Sequence, residues 1–316
     1  MVGGNKNMSK ENTAVTKKKM KRCKEDVVFD AACFIILTLV LFVVAYPLYW
    51  VIISSISAPS AVSSGKVLLH PMGFTLKGYA EVFKNDQVMR GFLNSLIITF
   101  CGVMVNLIVT LPTSYALSRS NFSGKKPITI FYLITMFFSG GLIPTYLVIQ
   151  KLQMLNTIWA LILPGCLSVY NMIVARTFFK SNISEELYEA AEIDGCTQAR
   201  FFFQIALPLS KAIIAILVLY YGVGHWNSYF SALVYISDKA KYPLQLVLRN
   251  ILITNQTALS QTATTAAARA ALQEKQQLID VMKYSLIIIS SIPVLVMYPL
   301  VQKHFVKGVM IGSMKG

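Results

Sequence analysis

Glu189-Ala190-Ala191, then three residues, then Gly195, then nine residues, then Ile205-Ala206-Leu207-Pro208: this stretch decides the reading of the chain. It sits between two long apolar runs, 157–176 and 212–236. Ser184 has the side chain of a helix cap, and Glu185 and Glu186 follow in the first turn, where the helix dipole favours negative charge. Leu187, Ala190 and Ala191 recur at helical spacing and predict a small apolar face able to seat closely in a partner's groove. Asp194 and Gly195 end the helix, and glycine tolerates the left-handed backbone of a sharp turn. Phe201, Phe202, Phe203 and Ile205 form a dense apolar block, and Pro208 starts the next segment, where its missing N–H is harmless.

Working outward, composition sets the class. Of 316 residues, 55% are hydrophobic and only 14% charged, against about 25% charged in a soluble domain. Six segments have the roughly 20 apolar residues that a bilayer crossing needs: 29–53, 92–117, 128–150, 157–176, 212–236 and 284–303. The expected fold is therefore all-α, a polytopic membrane protein with six transmembrane helices. The first segment is too long for the core of a signal peptide and reads as a true span.

The net charge of +15 is a matter of topology, not of nucleic acid. With the N-terminus inside, 18 Lys and Arg are cytoplasmic and 11 external, which is the positive-inside pattern. Eight of the basic residues fall in the first 24. Both termini are then cytoplasmic. The five cysteines, Cys23, Cys33, Cys101, Cys166 and Cys196, imply no disulfide framework, and His70, His225 and His304 lack ligand spacing. No metal site is expected.

The chain divides into a basic cytoplasmic tail, 1–26, and one membrane domain, 27–316. Within the domain, the loop 177–211 holds the opening stretch and the longest external loop is 237–283. In that loop Thr257 to Lys283 reads as a helix on the outer surface. Three sites rich in proline and glycine mark expected interruptions: Gly140-Gly141 with Pro144, Pro164-Gly165, and Pro293 with Pro299.

The spacing Glu-Ala-Ala, Gly, Ile-x-Leu-Pro between membrane spans resembles the EAA loop of ATP-binding-cassette importer permeases. The chain is similar to the smaller, maltose-type permease of carbohydrate importers, and to the subgroup that takes up oligosaccharides from complex polysaccharides. The likeness runs through Phe138-Ser139-Gly140-Gly141-Leu142-Ile143-Pro144-Thr145-Tyr146, Leu155-Asn156-Thr157-Ile158-Trp159-Ala160 and Val169-Tyr170-Asn171-Met172. It continues in Gly224-His225-Trp226-Asn227-Ser228, Tyr242-Pro243-Leu244-Gln245 and the tail Lys307 to Gly312. Thr257 to Ala271 departs from it in being rich in Ala and Thr. The resemblance implies a type I ABC importer permease fold in the bacterial cytoplasmic membrane. It implies coupling to an ATPase through Glu189, Ala190, Ala191, Asp194, Gly195, Ile205, Leu207 and Pro208. The implied partners are a homologous second permease, two cytoplasmic ABC ATPases that bind the ATP and Mg, and an external sugar-binding lipoprotein. No cofactor or catalytic residue is expected in this chain.

Sugars are recognised by flat aromatic faces with amide and hydroxyl partners. The fifth segment offers His225, Trp226, Asn227 and Tyr229, and the fourth offers Tyr170 and Asn171. Asn94 and Asn106 of the second segment add polar groups at membrane depth, which also serve to glue helices together. Two other classes draw on the same residues. A permease of this fold for an amino acid, peptide or phosphonate lacks the sugar-subgroup runs. A membrane enzyme built on His225 and Ser228 lacks a third group to orient the imidazole.

Overall fold

The computed structural model describes residues 24–258 and 266–313, and every regular element among them is helical. In chain order these are α1 (Lys24–Ser55), α2 (Pro59–Ser63), α3 (Lys77–Lys84), α4 (Asp86–Ser118), α5 (Lys125–Phe137), α6 (Leu142–Lys151) and α7 (Trp159–Ile162). They continue with α8 (Val169–Asn182), α9 (Glu185–Ile193), α10 (Gln198–Phe201), α11 (Leu207–Leu209) and α12 (Lys211–Trp226). The last are α13 (Phe230–Tyr235), α14 (Leu244–Ala258) and α15 (Ala266–Ser313). The chain divides within α1 into two compact units, one ending at Tyr49 and the other beginning at Trp50. The expected basic tail, apart from its last residues, and residues 259–265 of the Ala/Thr-rich run lie outside the described residues, as do nearly all side chains from residue 300 onward.

Three helical stretches are long and apolar enough to cross a membrane: Glu25–Ser55, Asp86–Ser118 and Leu272–Pro299. Three more candidates are bent pairs, so the described residues hold six spans if each pair counts as one. Two of the three bends fall at expected interruptions, Gly140-Gly141 and Pro164-Gly165. The third segment turns through 112° between α5 and α6. Gly141 makes that corner with φ 86° and ψ −177°, a region essentially open to glycine alone. The fourth bends by 52° at residues 166–168, directly after Leu163–Gly165 tightens into a 3₁₀ turn around Pro164. Before the fifth, Gln198–Leu209 meets α12 at 80°. The expected fifth span then stops at Trp226 and resumes as the separate short α13. By contrast, α15 runs through Pro293 and Pro299 without a break. Among the described residues of the loop 237–283, α14 lies ahead of the expected helix and α15 begins within it. Leu244, Leu246 and Val247 of α14 are buried.

In the second unit α4 is central. Asn85 caps it, its side chain accepting from the N–H groups of Gln87 and Val88 at 3.0 and 3.2 Å. Toward one end α4 packs with α8, α9, α10 and α12, through Leu111, Tyr115, Phe179, Tyr188, Phe201 and Leu217. Toward the other it meets α3, α14 and α15, through Val82, Val88, Trp226, Leu244 and Leu286. Both functional regions are built on this one helix.

Candidate functional site

The opening stretch folds as its residues dictate. The Ser184 hydroxyl accepts from the N–H of Leu187 at 3.3 Å and so starts α9. The helix closes where the N–H of Cys196 meets the carbonyl of Ala191 at 2.9 Å, with Gly195 at φ 76°. Thr197 caps α10 in turn, accepting from the N–H of Arg200 at 3.3 Å. Phe202–Ala206 then widens into a π-helical turn before Pro208 begins the bend into α12.

Arg119, just past the end of α4, holds α9 in place, and this residue escaped the sequence reading. Its guanidinium pairs with the Glu185 carboxylate and lies 4.4 Å from the centre of the Tyr188 ring. The Ser120 N–H adds a bond to Glu185 at 3.1 Å. Tyr188 meets Phe201 edge-on at a centroid distance of 5.3 Å, so α9 and α10 share one aromatic core with Tyr115. The Arg119 side chain is 12% exposed and that of Glu185 is 43% exposed.

The face that α9 presents outward differs from the expected one. Ala191 turns inward beside Tyr188 against the core, one helical turn along. Leu187, Ala190 and Glu189 are exposed, and Ile193, which was not singled out, is 87% exposed. Leu187, Ala190 and Ile193 follow one another at three-residue intervals and make an apolar ridge left exposed among the described residues. Asp194 and Gly195 extend the exposed surface, whereas Ile205 and Leu207 pack partly against the core. The outward group is thus Leu187, Glu189, Ala190, Ile193, Asp194 and Gly195. Ala191, Ile205 and Leu207 support it from behind, and Pro208 is exposed.

The candidate substrate residues are scattered by the fold. Trp226 does not line an open surface: it is 2% exposed, meets Phe92 edge-on at 5.6 Å and donates its indole N–H to the Ser290 carbonyl at 2.8 Å. Its polar-aromatic neighbourhood in the sequence hid an interior packing role. Asn171 is buried behind the Ser168 cap of α8. His225 is half-buried, and its Nε2 lies 2.7 Å from the Asn106 side-chain oxygen. Tyr170, Asn227 and Tyr229 are exposed.

Asn106 belongs to a polar stripe on α4 formed with Thr110 and Ser114, all three fully buried. Asn106 donates to the Gly165 carbonyl at 2.8 Å, inside the break between α7 and α8. Thr110 meets the Tyr221 hydroxyl at 2.8 Å, and that hydroxyl accepts the Ser168 N–H at 3.2 Å. Ser114 donates to the Met172 carbonyl at 3.0 Å. The stripe therefore partners the backbone groups in and beside the 52° bend, as a break at membrane depth requires. Asn94 does the same at the other end, donating to the carbonyls of Ala240 and Tyr242 at 2.8 and 3.1 Å.

No family model matches the chain. The polygalacturonan/rhamnogalacturonan transport system permease protein YtcP of Bacillus subtilis (strain 168) is 36% identical to it over 288 residues, 91% of this chain and 98% of that protein. Protein LplC of the same organism is 38% identical over 297 residues, 94% of this chain and 98% of that one. Among solved structures, a chain from a bacterial ABC transporter involved in the import of the acidic polysaccharide alginate aligns with a TM-score of 0.80 at 27% identity. That alignment covers 90% of this chain and 99% of its counterpart. Helical in every regular element of its described residues, with the break in its fourth span partnered from within, and aligned almost end to end with such relatives, the chain belongs to the carbohydrate ABC transporter permeases.

Proposed function

We propose that this chain forms half of the translocation pathway of an ATP-driven importer for an oligosaccharide, and that α9 is the handle by which a cytoplasmic ATPase moves it. The observation that carries the reading is the two-sided construction of α9. One side is fixed to the end of α4 by Arg119, Glu185 and Tyr188, and the other exposes Leu187, Ala190 and Ile193 beside a left-handed glycine. A helix held rigidly behind and bare in front transmits a push instead of absorbing it. On this reading the second half of the pathway is a homologous permease. Two ATPase subunits bind the ATP and Mg, and an external sugar-binding lipoprotein delivers the substrate. Both termini and the loop 177–211 then face the cytoplasm, in keeping with the basic residues clustered on that side. The names borne by YtcP and by the alginate importer support an oligosaccharide as cargo. Exposed Tyr170, Asn227 and Tyr229 are the remaining candidates to meet it.

Gly195→Asp tests the handle. A side chain there meets nothing within 4 Å, so the fold has room for it. The left-handed backbone costs about 1–2 kcal/mol for a residue with a Cβ, and a charge is added to the docking face. We expect the two permease subunits to assemble in normal yield while the purified complex loses ATPase subunits and sugar-stimulated hydrolysis. Wild-type ATPase content together with wild-type stimulation would sink the assignment.

A further inference from the structure

A cavity of about 250 Å³ lies beside Arg119, where α4 ends, α5 begins and α8 gives way to α9. Arg119, Lys125 and Lys180 line it with Ser118 and Ser120, and Glu185 supplies the one carboxylate in its wall among the described residues. That carboxylate is already engaged by the Arg119 guanidinium and the Ser120 N–H. The Lys125 ammonium donates to the Arg119 and Ser120 carbonyls, each at 3.2 Å, and meets no carboxylate among the described residues. Lys180 is exposed and has no polar partner among them. Three cations against one spent anion leave the pocket with a net positive charge. It also stands at the head of α5, whose first turn carries no acidic side chain and no side-chain cap, so the positive end of the helix dipole is uncompensated.

We propose that this pocket seats the headgroup phosphate of an acidic phospholipid. Two features favour a lipid over a free phosphate ion. The pocket lies where apolar spans give way to polar loop, which is the depth of headgroups. From Lys125 the exposed side chains of α5 continue as Ile128, Phe131 and Ile134, an apolar track on which an acyl chain can lie. The lipid would brace the root of the handle, because Lys125 grips the two carbonyls beside the Arg119 anchor. The assignment to the cytoplasmic leaflet rests on the orientation proposed above.

The test uses the intact complex, extracted from membranes containing phosphatidylglycerol and phosphatidylcholine, with retained lipid counted by native mass spectrometry. Lys180→Gln should reduce retained phosphatidylglycerol about fivefold, the usual weight of one basic side chain near a membrane surface. Lys125→Gln should reduce it at least as much. Lys211→Gln, exposed at the head of α12, should leave it unchanged. Equal retention in Lys180→Gln and wild type overturns the proposal, as does a wild type that keeps phosphatidylcholine equally well. Displacement of the lipid by millimolar inorganic phosphate overturns it in favour of a phosphate site. The ATPase content of each variant reports assembly separately. Labelling of Ser123→Cys from outside the cell would refute the orientation while leaving the lipid counts to judge the pocket.

Discussion

Arg119→Leu separates the anchor of α9 from the rest of the fold. Leucine keeps an apolar stem among Tyr115, Tyr188 and Phe201 but removes the ion pair with Glu185 and the cation over the Tyr188 ring. Glu185 is 43% exposed, so its orphaned carboxylate regains water and the pair is worth only about 0.2–1 kcal/mol. The guanidinium lies 4.4 Å from the ring centre and is mostly buried, which adds about 0.5–2 kcal/mol. Together the loss is about 2 kcal/mol, or roughly a 30-fold shift toward the released helix. Amide exchange under native conditions reads that shift directly, because protection follows the local opening equilibrium. Exchange at the amides of Tyr188 to Ile193 should quicken roughly 30-fold while the α12 amides keep their protection. Arg119→Lys should recover the ion pair but not the stacking, and so fall between. In reconstituted vesicles the same variant should move less sugar per ATP hydrolysed. Exchange within about threefold of wild type, or an equal rise in α12, would refute the idea that Arg119 anchors α9 locally.

Three further outcomes follow from the geometry. Trp226→Ala removes a fully packed indole at a cost of about 3–5 kcal/mol; complex yield and thermal midpoint should fall while transport per assembled complex stays at the wild-type level. Asn106→Leu deletes two interhelical bonds, to His225 and to the Gly165 carbonyl, for a loss of about 1–3 kcal/mol; an unchanged melting midpoint in detergent would mean the stripe is not holding the bend. In intact cells, with the native cysteines replaced, Ser64→Cys should react with a membrane-impermeant thiol reagent and Ser123→Cys should not, and the reverse pattern would place the 177–211 loop outside.

What the sequence made legible was local. Ser184 caps α9 through an N–H only three residues on, and Gly195 needs its left-handed φ whatever surrounds it, so both could be read from neighbours in the chain. Arg119 could not, since its partner Glu185 lies 66 residues away and neither residue alone signals the other. The bent spans illustrate a second limit. A count of apolar residues adds up hydrophobicity across a corner, so 128–150 reads as one helix although Gly141 turns it through 112°. The glycines were visible, but the angle depends on what packs behind them. Trp226 shows a third limit: composition locates a polar-aromatic cluster without giving its azimuth, and here the indole points at Ser290 instead of an open face.

The central place of α4 bears on how a push at α9 reaches the membrane interior. Arg119 sits at its end, and Asn106 lies 13 residues back, about 20 Å along a helix axis. Over that length α4 is unbroken, apart from a proline at position 112, and it carries the stripe that binds both the α7–α8 bend and α12. The bend is the more compliant element, because its own backbone bonds are interrupted and side chains of other helices replace them. If α9 is the handle, a displacement of the end of α4 must therefore change those hydrogen bonds before it strains the continuous helix. Thr110 and Tyr221 exchange a single hydroxyl bond in the middle of the stripe, and a sliding motion can remake it without leaving a charge unpaired. Neutral, short hydrogen-bonding groups suit a joint that must shift and reseal at membrane depth, where an ion pair would resist being parted.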